Sequence, residues 1–156
     1  MKKFEIHCAD NESYQKRSNS SFWTISIFSI LIAGVIIYNG NIVAGLVVGF
    51  LIFIFNYFRA YQSAMGYILS ISITSEEVEL TYNDRDDKKT IKDDIALFKF
   101  KKESGFSKTP VFYLSVYYKG DRITKQYELG EWNRAKFEEV INAYNELKSS
   151  TGQLTK

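Results

Sequence analysis

The chain has 156 residues and a formal net charge of +2, with 24% charged and 46% hydrophobic residues. That length suits about one domain, and so small a net charge excludes a dedicated nucleic-acid binder with a concentrated basic face. A single cysteine, Cys8, excludes an intrachain disulfide framework, and with His7 it makes two neighbouring groups where a metal site needs three or four.

In chain order, residues 1–21 read as a polar N-terminal segment. Between Ser18 and Phe58 there is no Asp, Glu, Lys, Arg or His. Two apolar runs fill this block, "FWTISIFSILIAGVIIY" over 22–38 and "IVAGLVVGFLIFIFNYF" over 42–58, separated by Asn39-Gly40-Asn41. As helices each is about 26 Å long, at the short end for crossing about 30 Å of hydrocarbon. Neither is amphipathic, which suits lipid around the whole circumference. They are expected to be two transmembrane helices in a hairpin. Trp23 and Tyr57 fall near one interface and Tyr38 near the other. Lys2, Lys3, Lys16, Arg17 and Arg59 lie on one side of the block and the turn is uncharged, so the positive-inside rule puts both termini in the cytoplasm. A cleaved signal peptide is not expected, because a second apolar run follows at once.

Gly45 and Gly49 form a GxxxG match on the second run. With Gly34, and with Ser26, Ser29 and Ala33, they predict close helix packing, either within the hairpin or between two copies in a homodimer. Asn56 is expected to hydrogen-bond locally. The lack of a charge at the midplane argues against transport.

Residues 59–66 form a linker that carries the helix out of the membrane. The period then changes to two. Tyr67, Leu69, Ile71 and Ile73 alternate with Ser70, Ser72 and Thr74, and Val78, Leu80 and Tyr82 with Glu77, Glu79 and Thr81, as strands with one wet face do. "KKTIK" offers a short third strand. In "IALFKFKK", Ala96, Phe98 and Phe100 are expected inward and Leu97, Lys99 and Lys101 outward. "VFYLSVYY" and "RITKQYEL" make a hairpin around Lys119-Gly120-Asp121. From Asn133 to Lys148 the stripe Phe137, Val140, Ile141, Tyr144 and Leu147 predicts an amphipathic helix. Residues 67–148 are thus one α+β domain, a barrel or sandwich of six or seven antiparallel strands capped by a C-terminal helix. Residues 149–156 read as a disordered tail.

The hairpin at "ITSEEVELTY", the middle segment "IKDDIALFKFKK" and the closing "LGEWNRAKFEEVINAYNEL" resemble the bacterial pleckstrin-homology-like (PH-like) domains of small membrane proteins that carry a helical hairpin before the domain. The resemblance covers Ile25 to Leu147. It implies a binding module on the cytoplasmic side of a bacterial inner membrane, with no reaction and no cofactor.

The residues themselves point the same way. His7 is the only histidine, without a partner for acid–base work. "DRDDKKTIKDD" lacks the glycine and glutamate of a calcium loop. No catalytic residue, cofactor site or metal site is assigned, and an enzyme is not expected. Basic residues cluster at Lys88, Lys89, Lys92, Lys99, Lys101, Lys102 and Lys108, and Phe106 is an aromatic placed to dock. Interleaved acids favour a solvated face over an anionic-lipid or partner surface. Beyond the bilayer itself, a protein partner is expected; the alternatives are a sensor of anionic lipid headgroups and an immunity or stress-response protein whose hairpin recognises a membrane target.

Overall fold

Local hydrophobic period sets most of the elements. In the computed structural model, which describes residues 3–8, 13–105 and 111–152, they follow as β1 (Lys3–His7), α1 (Tyr14–Tyr38), α2 (Ile42–Met65), β2 (Gly66–Thr74), β3 (Glu77–Asp84), β4 (Asp87–Asp94), a 3₁₀ turn (Ile95–Leu97), β5 (Phe98–Ser104), β6 (Phe112–Tyr118), β7 (Asp121–Tyr127) and α3 (Arg134–Gly152). Two units result. One is Glu12–Met65, and the other is formed by the chain on both sides of it.

The helical unit is an antiparallel pair. Ser13 caps α1, its Oγ accepting from the Lys16 N–H at 3.3 Å. Each residue of the Asn39-Gly40-Asn41 turn has a task. The Asn39 side chain donates to the Val35 carbonyl at 3.0 Å, Gly40 takes a left-handed φ of 88°, and the Asn41 Oδ1 accepts from the Ala44 N–H at 3.2 Å. These contacts satisfy groups that helix ends leave free.

Small residues face inward. A Cβ on Gly45 would meet the Ile37 side chain and lie 3.2 Å from the Ala33 carbonyl, and one on Gly49 would lie 3.0 Å from the Ala33 Cβ. Asn56 donates to Ser29 Oγ at 2.5 Å, both buried, so its bond crosses to the other helix instead of staying local. Gly34 is exposed, and a Cβ added there would meet nothing within 4 Å. Its expected packing role falls to Ala33 and Ile37, which the helical turn directs at α2. Large apolar side chains such as Ile30, Val35, Leu46, Phe50 and Phe55 face outward.

Among the described residues α2 alone is long and apolar enough to cross a membrane. In place of a second span over 22–38, the described apolar stretch of α1 is Ser29–Tyr38. Its first turns carry Lys16, Arg17, Ser18 and Asn19, and its packed side gives positions to Ser26 and Ser29.

The other unit holds two antiparallel sheets, of order β1-β2-β3-β4 and β5-β6-β7. The N-terminal segment, read only as polar, supplies β1, paired from Lys3↔Thr74 to His7↔Ser70 and continued by Cys8 N–H to the Leu69 carbonyl at 2.8 Å. The helical unit is therefore an insertion between two neighbouring strands. "KKTIK" extends to the full strand β4.

A bulge between Ile68 and Ser70 shifts the phase of β2, so Ile68 is fully buried where Leu69 was expected. The irregular backbone there is satisfied by side chains: Gln126 Oε1 accepts from the Ile68 N–H at 2.7 Å, and the Trp132 indole donates to the Ile68 carbonyl at 2.9 Å. Gly66 lies so close to β7 that a Cβ would sit 2.6 Å from Thr124 Oγ1 and 2.9 Å from the Lys125 carbonyl.

The 3₁₀ turn likewise buries Ile95 and exposes Ala96, reversing the expectation for Ala96. The stripe of α3 packs as expected: Phe137, Val140, Tyr144 and Leu147 are buried and Ile141 is half-buried against the core. A side chain such as Phe137 contributes about 1.5–3 kcal/mol by this burial. The helix runs on to Gly152, into the segment read as a tail; residues 153–156 lie outside the described residues.

Candidate functional site

In β5 the pattern Phe-Lys-Phe-Lys sends Phe98 and Phe100 into the core and Lys99 and Lys101 to solvent. The register then sets their neighbours. Lys99 pairs with Tyr117 and Tyr117 with Arg122; Lys101 pairs with Ser115 and Ser115 with Lys125; Glu103 pairs with Tyr113 and Tyr113 with Tyr127. Register thus puts nine residues on one side of the three strands, with four cations and one carboxylate among them and Ser115 fully buried beneath its neighbours.

The face is ordered by its own contacts. Glu103 accepts from Ser115 Oγ at 2.6 Å and Tyr117 OH at 2.8 Å, and lies 4.0 Å from the Arg122 guanidinium. These hydrogen bonds, Ser115 first, hold its carboxyl below the usual carboxylate range. Lys125 stands over the Tyr113 ring at 4.9 Å and Lys101 over Tyr117 at 5.5 Å. Burial, then the nearby Arg122, pushes the Lys125 ammonium pKa down. With one carboxylate already occupied, the face favours an anion from outside.

The basic cluster read from the sequence is divided between the sheets. On β4, Lys89 pairs with Asp84 at 2.5 Å and Lys92 with Glu77 at 2.8 Å, a solvated and balanced surface. On β5 the lysines face away from those acids. Lys102 is separate again, bridging to Glu138 of α3 at 2.6 Å. Phe106 and Lys108 lie outside the described residues.

Arg122 and Lys125 were not among the expected site residues. Three positions apart, they would fall on opposite faces of a regular strand. A bulge between Val116 and Tyr117, where Ile123 is the extra residue on β7, puts both outward. The tyrosines of β6 were legible as alternation, but their cationic neighbours came only from pairing.

Elsewhere, Cys8 is buried with its thiol pKa pushed up by that burial, 3.6 Å from the Lys136 ammonium. Among the described residues no group of three His, Cys, Asp or Glu side chains could hold a metal ion. Comparison of the chain with protein-family models, curated proteins and solved structures returns no match.

Proposed function

We propose that the chain is a two-pass protein of a bacterial inner membrane whose sheet unit is a cytoplasmic PH-like module that binds a protein partner through the outer face of β5-β6-β7. The four-plus-three strands with a packed C-terminal helix support the PH-like reading. The two-pass reading is supported by the insertion. Strands β1 and β2 are hydrogen-bonded neighbours, so both ends of the segment between them lie on one side of any membrane. This favours an even number of crossings, with α1 returning across the membrane that α2 crosses. The uncharged turn opposite Lys16, Arg17 and Arg59 favours the cytoplasm for those ends. Gly45 and Gly49, committed to packing against α1, support an anchoring role for the hairpin.

The observation that carries the binding function is the excess of cations over carboxylate on one ordered, tyrosine-rich sheet face. The hairpin supplies membrane affinity already, so this face has no need of lipid for localisation. A photo-crosslinking residue at Tyr113, in the full chain in its native membrane, is expected to give a protein adduct that the pair Lys101→Glu and Lys125→Glu removes. A lipid adduct without a protein adduct would overturn the assignment in favour of lipid headgroups.

A further inference from the structure

Where β5 meets the last turns of α3 there is an open groove of about 580 Å³, with Leu97, Lys99, Lys101, Tyr144, Asn145 and Lys148 in its lining. That size lies within the range of ligand sites. Its charge is one-sided: three lysines and no carboxylate line it. Lys148 is held in place by donating to Tyr144 OH at 2.7 Å, and that hydroxyl donates in turn to the Phe98 carbonyl. Leu97 is 36% exposed, and among the described residues it is the one exposed large hydrophobic side chain outside the helical unit.

We infer that this groove docks a short, extended acidic segment of the protein partner, with carboxylates on the lysines and an apolar side chain against Leu97. The inference rests on the module reading above. Three features select a peptide over a phosphate group. Lys99 and Lys101 are two residues apart on one strand, about 6.6 Å, the repeat of alternate side chains in an extended chain. The lining has no arginine to grip a phosphate bidentately. Leu97, exposed beside the lysines, offers an apolar contact that a peptide side chain can meet and a phosphate group cannot.

The test uses the full chain in phosphatidylcholine nanodiscs and a fluorescein-labelled Glu-Leu-Glu-Ser-Glu peptide, read by anisotropy. Saturable binding is expected, weakened about tenfold by Lys148→Glu and again about tenfold by Leu97→Asp, while the pair Lys88→Glu and Lys89→Glu on β4, outside both the groove and the sheet face, costs less than about threefold. Both single sites are exposed, and unchanged circular dichroism checks their folding. Equal losses at Lys148 and at Lys88/Lys89, or a loss at the pair Arg122→Glu and Lys125→Glu with none at Lys148, would overturn the groove. Displacement of the peptide by inorganic phosphate but not by free glutamate would overturn the peptide assignment. Absence of peptide binding while the Tyr113 protein adduct persists defeats this inference alone; loss of both defeats the module reading as well.

Discussion

Glu103 sits among four cations on this side of the sheet, yet its oxygens accept hydrogen bonds from Ser115 and Tyr117 and from none of the three lysines. Its role is to orient, leaving the cations available. Because its folded pKa is depressed, its stabilising contribution is present above the ordinary carboxylate pKa of about 4.3 and is lost as pH falls through the lower folded value. Glu103→Gln should cost about 1 kcal/mol at pH 7, since a charged acceptor is replaced by a neutral one at a partly exposed site. Below the folded pKa the cost should vanish. Urea midpoints of wild type and variant followed from pH 7 down into the acid range test this, and a gap between them that stays constant throughout would contradict it. At this scale the sequence is legible only in part. Lys99 and Lys101 follow from simple alternation in β5, whereas Arg122 and Lys125 need the bulge that puts them in phase.

Between elements, the hairpin is held by shape and by polar contacts that include Asn56 to Ser29 and the Tyr14 hydroxyl to the Tyr61 carbonyl at 3.3 Å. A side chain at Gly45 would meet Ile37 and press on backbone atoms 3.2 Å away, which can yield only if the helices separate. Without a hydrophobic drive in lipid, such contact is what holds helices together, and a cross-helix hydrogen bond like Asn56–Ser29 adds about 0.6–1.7 kcal/mol. In a Cys8→Ser background, the pair Ala33→Cys and Gly49→Cys should oxidise to a disulfide, because the two Cβ positions are within reach. Adding Gly45→Leu should abolish the crosslink. The pair Gly34→Cys and Gly49→Cys should not crosslink within one chain, since Gly34 points away. A crosslink there would contradict the helix register. The GxxxG match was visible from the sequence, and so were Ser26, Ser29 and Ala33 of its partner surface; Gly34 alone of that predicted face points away. Gly34 and Ala33 are adjacent in sequence, and only helix rotation tells them apart.

For the whole molecule, the decisive feature is that β1 precedes the hairpin and pairs with the strand that follows it. Cysteine labelling of the full protein in a Cys8→Ser background tests the resulting topology. Asn41→Cys should react with an impermeant maleimide added to spheroplasts, and Ser13→Cys and Glu128→Cys only after lysis. Labelling of Ser13 and Glu128 from opposite sides would refute the even number of crossings.

By itself the sequence determined the uncharged helical pair, the period-two strands and the amphipathic last helix. Those are properties of neighbouring residues, read from charge and from periods of 2 and 3.6. The strand β1 was present in the alternation Phe4, Ile6, Cys8 against Lys3, Glu5, His7, but so short a run gains meaning only from a partner over sixty positions later. Only the tertiary structure decided that the hairpin interrupts a sheet, that Lys89 and Lys92 of β4 and Lys102 of β5 pair with acids, and that Lys148 joins Lys99 and Lys101 at one groove. Each depends on hydrogen-bonded register between distant strands or on the path of α3, which no local pattern encodes.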